Sequence, residues 1–362
     1  MTSTVTVSNI GGPRLTLGFD RFDRLDLDRH LAVHGRLRAP ALDDLVRMAE
    51  QVDLRGRGGA GFPFARKLMA VAARVNHPTA DRTALLPGEK GDERGSSEDV
   101  VVVVNGAEGE PGSAKDKVLL GRAPHLVLDG AQIAASALGT QRIVLAVESD
   151  EAARSVRAAI SERRMPARVV RLTERFISGE SGAVIRAING ETPIPPGVKV
   201  RASDSGVDGF PTLLSNTETF AQLAVLVSLG PDLYASAGTD DEPGTTLLTI
   251  GGTQVVEAPL GTPLRAVLDH CEVPPSPGVL VGGYHGMWLD PAAVSRAVLS
   301  RAGMRRVGGT VGAGIILPLT QGTCPLGEVT RIASYLAAQS AGRTRRGPRP
   351  ASWRRRRSRR AG

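Results

Sequence analysis

Val100-Val101-Val102-Val103-Val104-Asn105-Gly106-Ala107-Glu108-Gly109-Glu110-Pro111-Gly112 is the stretch from which the fold can be read. An unbroken run of β-branched residues suits a strand buried on both faces. The run breaks directly into a loop of Gly and Glu. Downstream, a helix from about His125 to Leu138, a strand from Arg142 to Glu148, a helix from Glu151 to Arg163 and a strand from Arg168 to Leu172 are expected in turn. That alternation marks βαβ units and a parallel sheet. Ligands of such sheets sit beyond the carboxyl ends of the strands, so the loop from Asn105 to Gly112 is a candidate site.

Upstream, Leu54-Arg55-Gly56-Arg57-Gly58-Gly59-Ala60-Gly61-Phe62-Pro63 is a second candidate, followed by Lys67. Glycine removes the β-carbons that keep a ligand off the backbone, and it permits turns that aim successive N–H groups at one point. Such a loop cradles a phosphate. Lys67, where a helix starts, adds a point charge to an anion held by amides. A helix over Ala41 to Gln51 leads into this loop.

The chain has 362 residues, 41% of them apolar, enough for two or three domains with buried cores. Its formal charge of +8 is misleading, because removing the ten Arg of residues 341–362 leaves −2. The folded part is therefore nearly neutral, and no specific nucleic-acid binding is expected of it. Only Cys271 and Cys324 are present, which excludes a disulfide framework and fits a reducing cytoplasm. With no signal peptide or membrane-length apolar run expected, the protein reads as cytoplasmic, meeting a membrane only through partners.

Residues 1–40 read as a polar leading segment. Within it, His30 and His34 have a zinc-ligand spacing without an evident third ligand. Pro78 to Asp99 reads as an exposed insertion. Gly179-Glu180-Ser181-Gly182 opens a helix from Ala183 to Asn189, and Asn216-Thr217 precede an apolar helix from Phe220 to Leu229. Glu180 and Asn216 therefore have two readings, helix capping or ligand contact. From about Thr245 short strands and turns surround a single expected helix, Pro263 to His270, in a small α+β module. Gly308 to Gly314 reads as close packing of strand and loop. Glu328 to Ala338 is helical, and Arg343 to Gly362 reads as a disordered Arg-rich tail.

Taken in order, Arg-Gly-Arg-Gly-Gly-Ala-Gly-Phe-Pro, Asn-x-x-Glu-x-Glu-Pro-Gly, Gly-Glu at a helix start and Asn-x-Glu-Thr resemble the NADH-oxidising flavoprotein subunit of respiratory complex I. That family also serves soluble NAD-reducing hydrogenases and NAD-dependent formate dehydrogenases. The resemblance implies a Rossmann-like α/β FMN- and NADH-binding domain over residues 41–240 and a β-grasp-like soluble-ligand-binding (SLBB) α+β domain over 245–322. It implies a truncated helical remnant over 323–342, ahead of the 343–362 tail. Carried over residue by residue, it makes Gly56, Arg57, Gly58, Gly59, Gly61 and Lys67 the cradle of the FMN phosphate and ribityl chain. Asn105, Glu108 and Glu110 become flavin-side groups, with Glu108 the candidate catalytic acid at the ring edge. Ser215 and Asn216 become further FMN contacts. Phe62, Phe176, Gly179 and Glu180 border the dinucleotide. The implied partners are NADH and ferredoxin-like or iron–sulfur redox subunits.

Three departures accompany the resemblance. The family's Asp before the first Glu of the second motif is Ala107 here, and its Tyr-x-x-Gly-Glu-Glu is Phe176-Ile177-Ser178-Gly179-Glu180-Ser181. The Cys-x-x-Cys-x-x-Cys run and later Cys that hold a [4Fe–4S] cluster in the family have no counterpart after Gln339-Ser340-Ala341-Gly342. The Arg/Gly/Pro vocabulary that follows suggests a stretch read out of frame. Cys324 reads as a small buried hydrophobe. Two function classes stay open: an FMN-dependent electron-transfer subunit, or a non-catalytic scaffold or ligand-binding subunit that keeps the fold without turnover.

Overall fold

The computed structural model describes residues 5–76, 100–198 and 200–339; the insertion and the Arg-rich tail read from the sequence lie outside them. The chain opens with β1 (Thr6–Asn9), α1 (Leu27–His34), α2 (Leu42–Gln51) and α3 (Phe64–Asn76). The central run is β2 (Val101–Gly106), α4 (Lys115–Arg122), α5 (Pro124–Ala137), β3 (Ile143–Val147), α6 (Asp150–Arg163), β4 (Ala167–Arg171), α7 (Ser181–Ile188), β5 (Thr212–Asn216) and α8 (Thr217–Ala235). The chain continues through β6 (Thr245–Ile250), β7 (Gln254–Pro259), α9 (Leu264–His270), β8 (Val279–Val281), β9 (Met287–Leu289), α10 (Pro291–Arg296), α11 (Arg301–Arg306), β10 (Ile315–Pro318) and α12 (Pro325–Ala338).

Four strands form a parallel sheet in the order β4-β3-β2-β5, the α/β arrangement expected from the valine run. Alternation along β2 explains why the run has no polar break. Val102 and Val104 enter one core with Leu119, Leu126 and Phe220, while Val101 and Val103 enter another with Val184, Ile188 and Leu214. Each buried valine contributes on the order of 1.5 kcal/mol or more, so a polar residue at any of these positions would weaken one core or the other. Helix α5 is buried nearly all round. At Gly130 a β-carbon would overlap the Phe220 carbonyl, so glycine sets how closely α5 and α8 approach.

The second sheet is mixed, in the order β1-β7-β6-β10-β8-β9. Its first strand corrects the reading of residues 1–40 as a polar segment. β1 pairs with β7, and Leu15, Leu25 and His30 are buried. The buried carboxylate of Glu257 collects the N–H groups of Arg14, Leu15 and Thr16, together with the hydroxyls of Thr16 and Thr245. That local supply of acceptors lets a charge-rich segment enter a core. The module after Thr245 also differs from expectation, with α9, α10 and α11 in place of one helix and β10 following the glycine stretch. These elements are short, and their pairing partners lie far off in sequence, so no local period announces them. Close packing at the glycine stretch is observed: a β-carbon on Gly314 would collide with the Leu247 carbonyl. Cys324 is exposed at the start of α12, not buried.

Candidate functional site

The carboxyl ends of β2 and β5 lie side by side, with Asn105 opposite Asn216 in the strand register. The glycine loop arrives at this edge as a hairpin: Arg55 bridges Pro63, and Gly56 N–H donates to Phe62 O at 2.9 Å. It is tied down by Arg57 N–H, which donates to Thr219 Oγ1 at 2.9 Å. A β-carbon on Gly58 would stand 3.3 Å from Asn216 Cβ, and Gly59 has a φ of +102° that favours glycine. Arg55 braces the turn through the Gly61 carbonyl. Phe62, at the tip, is 47% exposed.

Lys67 follows on α3, its Nζ donating to the Leu214 carbonyl at 3.0 Å. Among the described residues it has no acidic partner, and burial pushes its pKa down. A cation held out of water without a counter-charge follows a glycine turn in which the Gly56 and Arg57 amides are already engaged, while those of Gly58 to Gly61 enter no helix or strand ladder. An anion satisfies both. The other flank of the loop borders an open cleft that is also lined by Thr310 to Gly314. That cleft is walled by Gly56, Arg57, Gly59 and Gly61, whereas Lys67, Asn105 and Glu108 lie outside its walls.

The loop after β2 is built differently from its reading as a set of flavin-side groups. Asn105 Nδ2 donates to the Gly179 carbonyl at 3.0 Å, and its Oδ1 accepts from Ala107 N–H. Glu108 is turned onto the start of α4, where it accepts from Ser113 Oγ at 2.6 Å, Asp116 N–H at 3.0 Å and Lys117 N–H at 2.9 Å. A carboxylate with that many donors is spent as a helix cap. Glu110 accepts from Tyr284 N–H across the junction with the second sheet, and burial pushes its pKa up to about 7. Glu148, just past β3, was not singled out by sequence. One of its oxygens accepts from Glu108 N–H at 2.8 Å, the other is buried without a partner among the described residues, and burial raises its pKa to about 7.

Ser215 is buried in β5 opposite Val104. Asn216 caps α8 by accepting from Glu218 N–H at 3.0 Å, and its Nδ2 donates to Asp116 Oδ2 at 2.5 Å. Beneath it lies a buried cluster that the sequence reading missed. Lys115 Nζ stands 3.0 Å from both Asp116 Oδ1 and Glu218 Oε2. Lys-Asp after the Pro-Gly turn, and the Glu of Asn-x-Glu-Thr, were the available signals, but charged residues are ordinarily read as surface.

Phe176, Gly179 and Glu180 gather against the same loop. The Phe176 ring is 5.2 Å from His285 and 6.4 Å from Tyr335 between centroids, and Tyr335 OH donates to the Gly109 carbonyl at 2.8 Å. Glu180 caps α7 through Gly182 N–H at 2.7 Å and Ala183 N–H at 3.0 Å. His30 is taken up by Asp129 at 2.7 Å. The described residues include no group of three or more ligand side chains suited to a metal ion. The sequence holds two cysteines, one buried and one exposed, so a cluster with four thiolate ligands does not fit this chain. Among the described residues no helix is long and apolar enough to cross a membrane.

The second F-type chain of the NADH-quinone oxidoreductase of Rhizobium meliloti is 24% identical over 83% of this chain and 72% of its own. The F chain of the NADH-quinone oxidoreductase of Streptomyces coelicolor is 27% identical over 91% and 76%. Among solved structures, the NAD+-reducing [NiFe]-hydrogenase in its H2-reduced state superposes with a TM-score of 0.75 at 23% identity, which establishes a shared fold. The superposition covers 94% of this chain but only 56% of the hydrogenase chain. Residues 49–225 match the model of the Nuo51 FMN-binding domain.

Proposed function

We propose that this chain is an FMN-dependent electron-transfer subunit that oxidises NADH. The observation that carries the reading is Lys67, a half-buried ammonium with no acidic partner among the described residues, beside a glycine turn in the segment that matches an FMN-binding domain. The turn's amides and Lys67 would hold the FMN phosphate, with Ser215 and Asn216 nearby. Asn105 and Glu110 would meet the ring side, and Phe62, Phe176 and Glu180 the dinucleotide. Bound FMN supplies the hydride acceptor and the one-electron exit. The protein's own contribution is to hold two planar rings in contact and exclude water. Because two cysteines cannot build the family's cluster, iron–sulfur acceptors belong to partner chains, with the complex cytoplasmic and peripheral to any membrane.

A non-catalytic scaffold is the second reading, favoured by Glu108 and Glu180 serving as helix caps and by Ala107. One experiment separates the two. The purified protein is loaded with FMN, its spectrum recorded, and NADH added without oxygen. Retained yellow absorbance that bleaches with NADH supports the enzyme. Retained flavin that does not bleach points to a different electron donor, and failure to retain any flavin supports the scaffold.

A further inference from the structure

The cluster beneath Asn216 joins four parts of the molecule that are remote in sequence: α4, the start of α8, β6 and the glycine loop. Lys115, on α4, is 1% exposed and reaches Asp116 and Glu218 at 3.0 Å and Asn216 Oδ1 at 3.4 Å. Glu218, on α8, turns its other oxygen to Leu247 N–H at 3.0 Å and Thr246 Oγ1 at 3.2 Å on β6, and to Arg57 Nε at 4.0 Å in the glycine loop. Asp116 in turn holds the Asn216 amide. Burial opposes the charge on Lys115, but the carboxylates of Asp116, Glu218 and Glu108 outweigh it and keep the pKa above the usual lysine value. Its ammonium is the nearest counter-charge to acids that would otherwise stand buried and uncompensated.

We infer that Lys115 is a positioning residue for the phosphate end of the flavin site, acting through Asn216 and the Glu218–Arg57 contact to set the glycine loop against α8. Lys115 does not touch the phosphate. Its effect reaches the loop along two short routes. One is the Asn216 side chain, which packs where Gly58 leaves room; the other is Glu218, which faces Arg57. A neutral residue at 115 releases both. This rests on the FMN reading above.

The test compares FMN with riboflavin, which has the same ring and ribityl chain but no phosphate. Dissociation constants are measured by flavin fluorescence for the wild-type chain, K115M, K115R and the charge-balanced double variant K115M/E218Q. The expected result is a loss of about tenfold or more in FMN affinity for K115M, with riboflavin affinity unchanged and partial recovery of FMN binding in K115R. The double variant keeps the question open to test if K115M does not fold, and it too should lose FMN affinity selectively. Equal weakening for both flavins, or no weakening of FMN, overturns the inference. A wild-type chain that binds FMN no better than riboflavin shows instead that the phosphate site itself was misread.

Discussion

Two lysines near the same sheet edge carry opposite electrostatics. Lys67 donates to a carbonyl, has no acid beside it among the described residues, and is held below the usual lysine pKa by burial. Lys115 is more deeply buried, yet three carboxylates keep it above that value. A cation already neutralised by its own chain is structural, whereas one left without a counter-charge still has an anion to find. The contrast separates residues that hold the site together from residues that meet its ligand.

The largest effect should come from breaking the compensated partner. K115M leaves Asp116 and Glu218 buried without their counter-ion, which should cost about 3–5 kcal/mol of unfolding free energy. Denaturant unfolding of K115M and K115M/E218Q checks this, because the double variant removes one charge of each sign and should recover part of the loss. A K115M chain as stable as wild type would remove the contrast. K67M sharpens it from the other side. Because K67M removes a partly buried charge that no acid among the described residues compensates, the apoprotein should keep its stability within about 0.5 kcal/mol. FMN affinity should fall by about 10- to 100-fold, the worth of a charge-assisted hydrogen bond to phosphate. Isothermal titration and thermal unfolding of one preparation report both numbers.

The fold was more legible than the cluster. Val100 to Val104 announced a strand buried on both faces because no polar residue interrupts it, and α5 and α6 followed from their spacing. Helix α4 escaped notice because it is short and opens Lys-Asp-Lys, a pattern that describes an exposed turn unless partners elsewhere neutralise it. Those partners are Glu108 and Glu218, and only the folded chain places them there. Glu108 illustrates the limit of a motif: its position could be carried over from a family, but where its carboxylate turns is settled by the donors at the start of α4.

The same contrast runs through the acids. Glu108 is satisfied by three donors, while one oxygen of Glu148 is buried without a partner among the described residues and its pKa is raised from 4.5 to about 7. Since the folded chain then binds more protons at Glu148 than the unfolded chain does, the stability this group contributes is full below pH 4.5 and is lost as pH rises through 7. The slope is at most about 1.4 kcal/mol per pH unit for one proton. E148Q stays neutral throughout, so its stability between those limits should fall less steeply than that of the wild type. Parallel pH profiles would show Glu148 to be satisfied in solution, and Glu108 and Glu148 would cease to differ.

The smallest effect concerns Glu180, where capping and ligand contact can be told apart because they ask for different atoms. As a cap, Glu180 needs only an acceptor oxygen for Gly182 N–H and Ala183 N–H, which glutamine also offers. As a neighbour of the dinucleotide it needs its charge. E180A should therefore lose about 1 kcal/mol of stability, and E180Q much less. If the carboxylate also borders bound NADH, E180Q should change KM for NADH while leaving the melting temperature in place. An E180Q chain that is silent in both measurements, beside an E180A chain that has lost the cap, assigns the residue to α7 alone and puts Glu180 with Lys115 among the groups the protein has already satisfied.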